Sequence, residues 1–514
     1  MSESDSSANP IRWRLADLIN QAGIRLDPNT SIPDLFIHCV TDDSRCVGKG
    51  SCFVAVRGTH HDGHAFVSHA ARAGAAVLFV EHEATPPKGT FVLRVADTRE
   101  ALARLAAAYY GLRGRSTGGV KLIGITGTNG KSTVAWMLRS ILRAAEKSCA
   151  LIGTIEYDLV TRCRPAPLTT PAAPALCEYL ATARDAGAAW VVLEVSSHAL
   201  DQRRCDGLAF AAGVFTNLSG DHLDYHGSME AYFTAKRRLF DLLEPDAPAV
   251  INHDDAAGRR LMANLRSPIV GFGLDASEAG DADVRATIRS ATRYGTEINL
   301  AGRSFETTVH LSMIGRHNVQ NALAAAAAAE AIGIDHRAIR TGLEQLAGVP
   351  GRLQRVEPAG WPFSTFVDYA HTDAALDHVL QCLRPLTPKR LICVFGCGGD
   401  RDRTKRPRMA AAVGRHADLA WVTSDNPRTE DPEAILRDIL PGFGPKPHCR
   451  VEVEVDRARA IQAAITHARS GDTVLIAGKG HENYQLIGDQ VLHFDDVEVA
   501  RDCLRQTAAR EHVA

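Results

Sequence analysis

An α/β protein of three domains with mostly parallel sheets is the fold class this sequence predicts. Apolar runs alternate with helical spacing, strand ends repeatedly carry glycine or polar clusters, and 514 residues exceed one ordinary core. At about 150 residues per domain, roughly three domains are expected. Hydrophobic residues make up 45% and charged residues 23%, the balance of a globular chain rather than a disordered or fibrous one.

Taken in order, residues 1–10 are polar and acidic, without the basic and apolar regions of a signal peptide. No apolar run reaches the ~18 residues that span a bilayer. Cytoplasmic location is expected, and so is a monomer. The net charge of −2 favours neither nucleic acid nor an anionic membrane as partner. Apolar runs at 52–56, 75–80 and 90–95 alternate with helix-like stretches at 65–73 and 99–110, which predicts a smaller N-terminal α/β domain over 1–115. Residues 111–119, rich in Gly, Arg and Ser, form the expected linker.

The central domain, expected over 116–347, opens with a strand at 120–125 that runs into a glycine loop, and a helix follows at 134–144. Apolar strands at 190–195 and 211–215 end on Glu194 and Ser196 and on Thr216 and Asn217. In an open parallel sheet such strand ends bind ligands. Around 284–309 alternating Thr, Arg and aliphatic residues predict a short antiparallel section inside this domain, and the Ala-rich stretch 321–332 predicts a helix. Gly348, Val349, Pro350 and Gly351 then punctuate the chain, so a third α/β domain is expected over 348–514, with strands at 364–368, 390–395, 419–423 and 473–477. The twelve cysteines contain no CxxC pair and read as reduced thiols.

The chemistry begins at Gly127, Thr128, Asn129, Gly130, Lys131 and Ser132. A glycine-rich turn between strand and helix aims backbone N–H groups at one point, the helix dipole favours an anion there, and Lys131 adds a mobile positive charge. A triphosphate is the natural guest, with Ser132 a candidate Mg²⁺ ligand. The spacing departs from the common phosphate loop, since Gly127 lies only three residues before Gly130. Glu194 ends an apolar strand, where a carboxylate is costly unless exposed or bound. It reads either as a magnesium ligand or as the cap of the following turn. The polar run 217–226 includes His222, whose place at a strand end suits a second metal or a polar ligand. Arg401 and Arg428 follow two strands of the third domain and suit bidentate grip on carboxylates. Glu482 follows another and suits an ammonium group.

The sequence blocks GITGTNGKST, EVSSHAL, NLSGDHLDYHGSMEAYFTAK, GRLQRV, DYAHT, GCGGDRDRTKRP, DNPR and GKGHE, taken together and in this order, closely resemble the Mur ligases of peptidoglycan precursor synthesis. The resemblance runs from about Asp43 to the final strands. It implies an N-terminal domain for a uridine nucleotide, a central P-loop ATPase-type domain and a Rossmann-like C-terminal domain for an incoming amino acid. It also implies the substrates ATP, UDP-N-acetylmuramoyl-L-alanyl-D-glutamate and meso-2,6-diaminopimelate, with Mg²⁺ as cofactor and an acyl phosphate as intermediate.

Residue by residue, the resemblance implies catalytic roles for Lys131, Glu194, His222 and Lys236. ATP contacts would come from the loop 127–133, including Thr133, and from Asn318, Arg352 and Asp368. Ser132 and Glu194 would bind one Mg²⁺. Lys236, carbamylated to N6-carboxylysine, would with His222 serve a second. Apart from the resemblance, Lys236 reads as an ordinary exposed lysine. The nucleotide substrate would meet Ser44, Thr59, His60, His61, Asn129, Thr169, Thr170, Ser196, Gln202 and Arg204. The amino acid would meet Arg401, Asp425, Asn426, Pro427, Arg428, Gly478 and Glu482. Diaminopimelate carries a carboxylate at its far end that lysine lacks, and Arg428 is the partner that carboxylate needs. A lysine-adding Mur ligase and a folylpolyglutamate-synthase-like ligase are the rival readings.

Overall fold

The computed structural model describes residues 12–58, 61–82, 89–114, 117–274, 282–358, 360–445 and 448–511. The chain divides into two compact units: Met1–Arg285 with Gly302–Phe305 and Asn321–Gly342, and Ala286–Ala301 with Glu306–Gln320 and Leu343–Ala514.

In the first unit, strands Cys39–Thr41, Ser51–Val54, Ala75–Val80 and Phe91–Arg94 form an all-parallel sheet in chain order. Helices Leu15–Ala22 and Thr98–Tyr109 bury Leu15, Leu18, Leu102 and Leu105 against it. Thr98–Tyr109 begins where its pattern says it should, because the Asp97 carboxylate accepts from Glu100 N at 3.0 Å.

A second sheet of this unit carries strands Cys149–Ile152, Trp190–Glu194, Lys121–Thr126, Ala212–Phe215, Ala249–Asn252 and Ile269–Leu274 side by side, all parallel. These strands read as continuous apolar runs because helices cover both faces. The chain order reverses at Lys121–Thr126, whose neighbours are Trp190–Glu194 on one side and Ala212–Phe215 on the other. In open parallel sheets such a reversal is where ligands bind, at the carboxyl ends of the strands.

In the second unit, strands Gly295–Ala301 and Glu306–Leu311 make the antiparallel pair that the Thr- and Arg-rich pattern predicts, though it is expected inside the central domain and here groups with the C-terminal residues. Its main sheet runs Gln354–Arg355, Ser364–Asp368, Thr473–Ala477, Leu391–Phe395, Leu419–Val422, Arg450–Val453, parallel except for the first pair. Helices Asp373–Leu383 and Lys405–His416 fill one face through Leu376, Leu380, Met409 and Val413, and Arg457–His467 covers the other through Ile461 and Ile465. A hairpin, Tyr484–Ile487 with Gln490–His493, follows the strand Thr473–Ala477. All twelve cysteines are free, as expected. No helix among the described residues is long and apolar enough to cross a membrane.

Candidate active site

Strand Lys121–Thr126 delivers the chain into a loop that only glycine can shape. Gly127 has φ 145° and Gly130 has φ 88°; added Cβ atoms would collide with Thr216 Oγ1 and Asn321 Oδ1 respectively. The neighbouring strand end braces the loop. Thr128 N donates to Asn217 O (2.9 Å), Asn129 N to Asn217 Oδ1 (3.0 Å), and Thr216 Oγ1 to Asn129 O (2.6 Å). Helix Lys131–Ala144 starts at once, so the N–H groups of its first turn face the loop. Lys131 Nζ is folded back, donating to Gly127 O (3.0 Å) and Thr128 O (2.8 Å).

Glu194 is wholly buried at the end of the adjacent strand. Its carboxylate accepts from Ser132 Oγ, Thr154 N and Thr154 Oγ1, each at 2.9 Å. Gly153 makes that approach feasible, because a Cβ there would strike Glu194 Oε1. Of the two readings open for Glu194, capping of its own following turn is not realised: the amide it holds belongs to the turn after Cys149–Ile152. The Ser132 hydroxyl and Glu194 carboxylate are hard oxygen donors side by side, a donor set that fits Mg²⁺. Among the described residues no group of three or more His, Cys, Asp or Glu forms a metal-holding cluster.

Lys236 is not the surface lysine its residue type suggests; it is 1% exposed. Helix Met229–Asp241, capped by Ser228 Oγ accepting from Ala231 N (3.2 Å), buries Tyr232, Phe233, Lys236, Leu239 and Phe240 on one face. Their spacing of three and four placed Lys236 on the apolar stripe, a readable signal that residue type alone obscured. Its Nζ donates to Gly127 O (2.7 Å) and sits 4.4 Å from the Tyr232 ring centre. Burial first, and then the charge of Lys131, hold its pKa well below the usual lysine value, against the pull of Asp221. His222 has a left-handed backbone (φ 52°) and its ring lies 4.9 Å from that of His198. Burial lowers its pKa, Asp221 opposes, and Lys131 and Lys236 repel its charged form.

Five residues expected at the nucleotide substrate converge on the same strand end. Thr170 Oγ1 donates to Glu194 O (2.8 Å) and accepts from Ser196 N (3.0 Å); Thr169 Oγ1 lies 3.1 Å from Thr154 Oγ1. Arg204 donates to Thr170 O (2.7 Å) and to Gln202 Oε1 (2.8 Å). Ser44 begins the short helix Ser44–Cys46, apart from this bonded network. His61 is exposed, its carbonyl accepting from Gly58 N (2.9 Å). Thr59 and His60 lie outside the described residues.

The second unit gathers the residues expected to meet the amino acid after the carboxyl ends of its parallel strands. Asp425 and Asn426 are buried, and Gly478, with φ 118°, presents no side chain to Asp425, whose Oδ2 would lie 3.0 Å from an added Cβ. Asn426 Nδ2 donates to Glu482 Oε2 (3.1 Å). Burial raises the Glu482 pKa and Asp425 adds to that, while Lys479 and Asn426 lower it. Arg428 is held left-handed (φ 53°) by the hairpin: its N–H donates to Leu486 O (3.0 Å) and its carbonyl accepts from Gly488 N (2.7 Å). Its Nη1 donates to Gly399 O (2.7 Å). Gly398 lies between the two arginines, since an added Cβ would be 2.9 Å from Arg428 Nη1 and 3.9 Å from Arg401 Cγ. Pro427 sits against Gly399, which has no room for a side chain.

The three residues of this unit expected to meet ATP are Asn318, Arg352 and Asp368. Asn318 Nδ2 donates to Ile314 O (2.8 Å), and the Arg352 guanidinium lies 4.8 Å from the Tyr369 ring centre. Asp368 accepts from Leu353 N (2.7 Å) and Ala370 N (2.8 Å), and burial raises its pKa.

Sequence reasoning missed Thr154, which completes the Glu194 shell, and Lys479, which lies wholly buried among Asp425, Asn426 and Glu482. Thr154 carried no signal, because its role depends on strand adjacency. Lys479 stood inside a glycine-flanked block already singled out, and its conjunction with two carboxylates is a property of the fold.

The Mur ligase middle domain matches residues 125–329, the Mur ligase glutamate ligase domain residues 351–480, and the Mur ligase family catalytic domain residues 36–110. A Geobacter sulfurreducens protein is 42% identical over 517 residues, covering 97% of this chain and 99% of its own. The chain belongs to the Mur ligase family. That relative, and one from Geobacter metallireducens at 43% identity covering 91% of this chain and 94% of its own, are UDP-N-acetylmuramoyl-L-alanyl-D-glutamate–2,6-diaminopimelate ligases. A solved structure of a ligase of that same name is 33% identical, with a TM-score of 0.71, covering 96% of this chain and 99% of the other.

Proposed function

We propose that this chain uses ATP to join meso-2,6-diaminopimelate to the D-glutamate γ-carboxylate of UDP-N-acetylmuramoyl-L-alanyl-D-glutamate. The observation that carries this reading is the group of charged side chains after the parallel strands of the second unit, Asp425 and Glu482 about Lys479 together with the Arg428 guanidinium, which suits an amino acid's ammonium and carboxylate. The phosphate loop supplies the other half. Three functional regions follow, 1–115 for the uridine nucleotide, 116–347 for ATP and 348–514 for the amino acid, in a monomeric cytoplasmic enzyme.

A carboxylate is a poor electrophile, so the glutamate oxygen first takes the γ-phosphoryl group of ATP, breaking the bond to the β-phosphate side and releasing ADP. The acceptor amine, having lost a proton, then attacks the acyl carbon, and the tetrahedral intermediate collapses with loss of phosphate. Little covalent work falls to the protein, which positions the reactants and neutralises charge. The loop amides and Lys131 hold phosphate oxygens. Ser132 and Glu194 would hold Mg²⁺, which when bound offsets phosphate charge. Thr170, Ser196, Gln202 and Arg204 orient the nucleotide substrate near Glu194. Lys236, with its depressed pKa, has the free amine that reacts with CO₂, and the resulting carbamate turns a repelling cation into an oxygen donor.

Ligation with product mass tests the reading. The product should gain diaminopimelate less water, with phosphate release requiring both the nucleotide substrate and the amino acid. Equal consumption of L-lysine, or phosphate release without the amino acid, would overturn it. A carbamate ¹³C resonance from protein held under ¹³C-bicarbonate, absent from Lys236→Met, tests the modification.

A further inference from the structure

Lys479 follows the strand Thr473–Ala477 and is 0% exposed. Its Nζ donates to Asn426 Oδ1 (3.0 Å) and lies 3.5 Å from Asp425 Oδ1 and 3.7 Å from Glu482 Oε2. Asn426 Oδ1 also accepts from Leu486 N (3.0 Å), which fixes the amide so that its Nδ2 faces Glu482. The lysine therefore ties three residues of the acceptor pocket together from beneath.

Of the other charges, Arg457 also acts on Asp425 and Glu482, but its own buried partner Asp496 offsets it. Arg457 is paired with Asp496 at 2.7 Å, both side chains 0% exposed, and it also donates to Ala477 O (3.0 Å). Arg428 donates to Gly399 O. Tyr369, whose hydroxyl lies 3.5 Å from Glu482 Oε1, has its pKa pushed up to about 12 by burial and stays neutral; burial also raises the Tyr484 pKa, and its ring centre lies 5.6 Å from Lys479 Nζ. His371 meets Tyr369 edge-on, the ring centres 4.6 Å apart. Two carboxylates against one buried ammonium leave a single negative charge. Without the lysine, two like charges would face each other in a largely buried pocket.

We propose that Lys479 is a positioning residue that sets the charge of the acceptor pocket: it neutralises one of the carboxylates Asp425 and Glu482 and leaves one for a single incoming ammonium group. This rests on the proposed reaction, and ligation of diaminopimelate by the unaltered protein tests that first and separately.

The charge count makes an unusual demand on paired variants. Asp425→Asn leaves Lys479 and Glu482 cancelling each other, so the KM for diaminopimelate should rise about tenfold or more. Adding Lys479→Met to that variant restores one negative charge and should lower the KM again by at least about threefold, with the KM values for ATP and the nucleotide substrate moving less than about twofold. Glu482→Gln and Lys479→Met/Glu482→Gln pose the same question from the other carboxylate. A lysine that only supported packing would make each double variant worse than its single parent. Recovery in neither pair overturns the proposal, as does failure of both double variants to fold.

Discussion

Among the described residues two lysines are buried, Lys236 beside the phosphate loop at 1% exposure and Lys479 beside Asp425 and Glu482 at 0%. Lys236 faces the Gly127 carbonyl, the Tyr232 ring and the charge of Lys131. Lys479 faces an amide oxygen and two carboxylates. Burial alone penalises both cations, and the neighbours decide the outcome. The first site holds the pKa of its lysine well below the usual value; the second ties its lysine to an amide and two carboxylates. On the proposed readings the two pockets use the same side chain for opposite ends, one to gain an oxygen donor and the other to limit negative charge.

The sharpest way to break this contrast is Lys236→Met, which should lower ligation by at least about a thousandfold because no oxygen donor can form there. A rate within tenfold of the parent, measured by amino-acid-dependent phosphate release, would show that no carbamate is needed. Arg457→Met should leave Asp496 buried and unpaired, costing about 3–5 kcal/mol of stability. Denaturant unfolding would register it, and a stable variant would mean the pocket floor does not depend on that pair. Arg428→Met should cost about 2–5 kcal/mol in kcat/KM for diaminopimelate and erase its advantage over L-lysine. Retained preference in a competition assay would move specificity to Arg401.

The smallest effect expected is a pH dependence. Glu482 must be ionised to hold an ammonium group, and burial raises its pKa. Its ionised fraction is therefore lost as pH falls through a value above that of an ordinary glutamate. The KM for diaminopimelate should rise on acidification sooner than an exposed carboxylate would dictate, while the KM for ATP, bound at the phosphate loop, should not follow the same curve. Parallel rises in both would tie the effect to folding instead of to the acceptor pocket.

Much of both pockets was legible because strand, glycine turn and helix follow one another locally. The run 120–133 encodes its own phosphate cradle, and Arg428 and Glu482 stand directly after apolar strands. The Lys236 stripe was legible too, but a lysine on an apolar face reads as an exception until its partners are known. Thr154 was not legible: it reaches Glu194 because the strands Cys149–Ile152 and Trp190–Glu194 are neighbours, although 40 residues separate the two side chains in sequence.

By itself, then, the sequence determined the α/β class, the strand ends that carry chemistry and, through eight blocks in order, the family. Those are matters of local spacing and residue type. Only the tertiary structure decided that Glu194 is enclosed by Ser132 and Thr154, that Lys236 is buried against a carbonyl and a ring, and that Lys479 stands between two carboxylates. Burial and charge environment are set by whatever distant segments the fold brings within a few ångströms, so the same lysine could be read in the sequence only as a residue, and in the structure as a role.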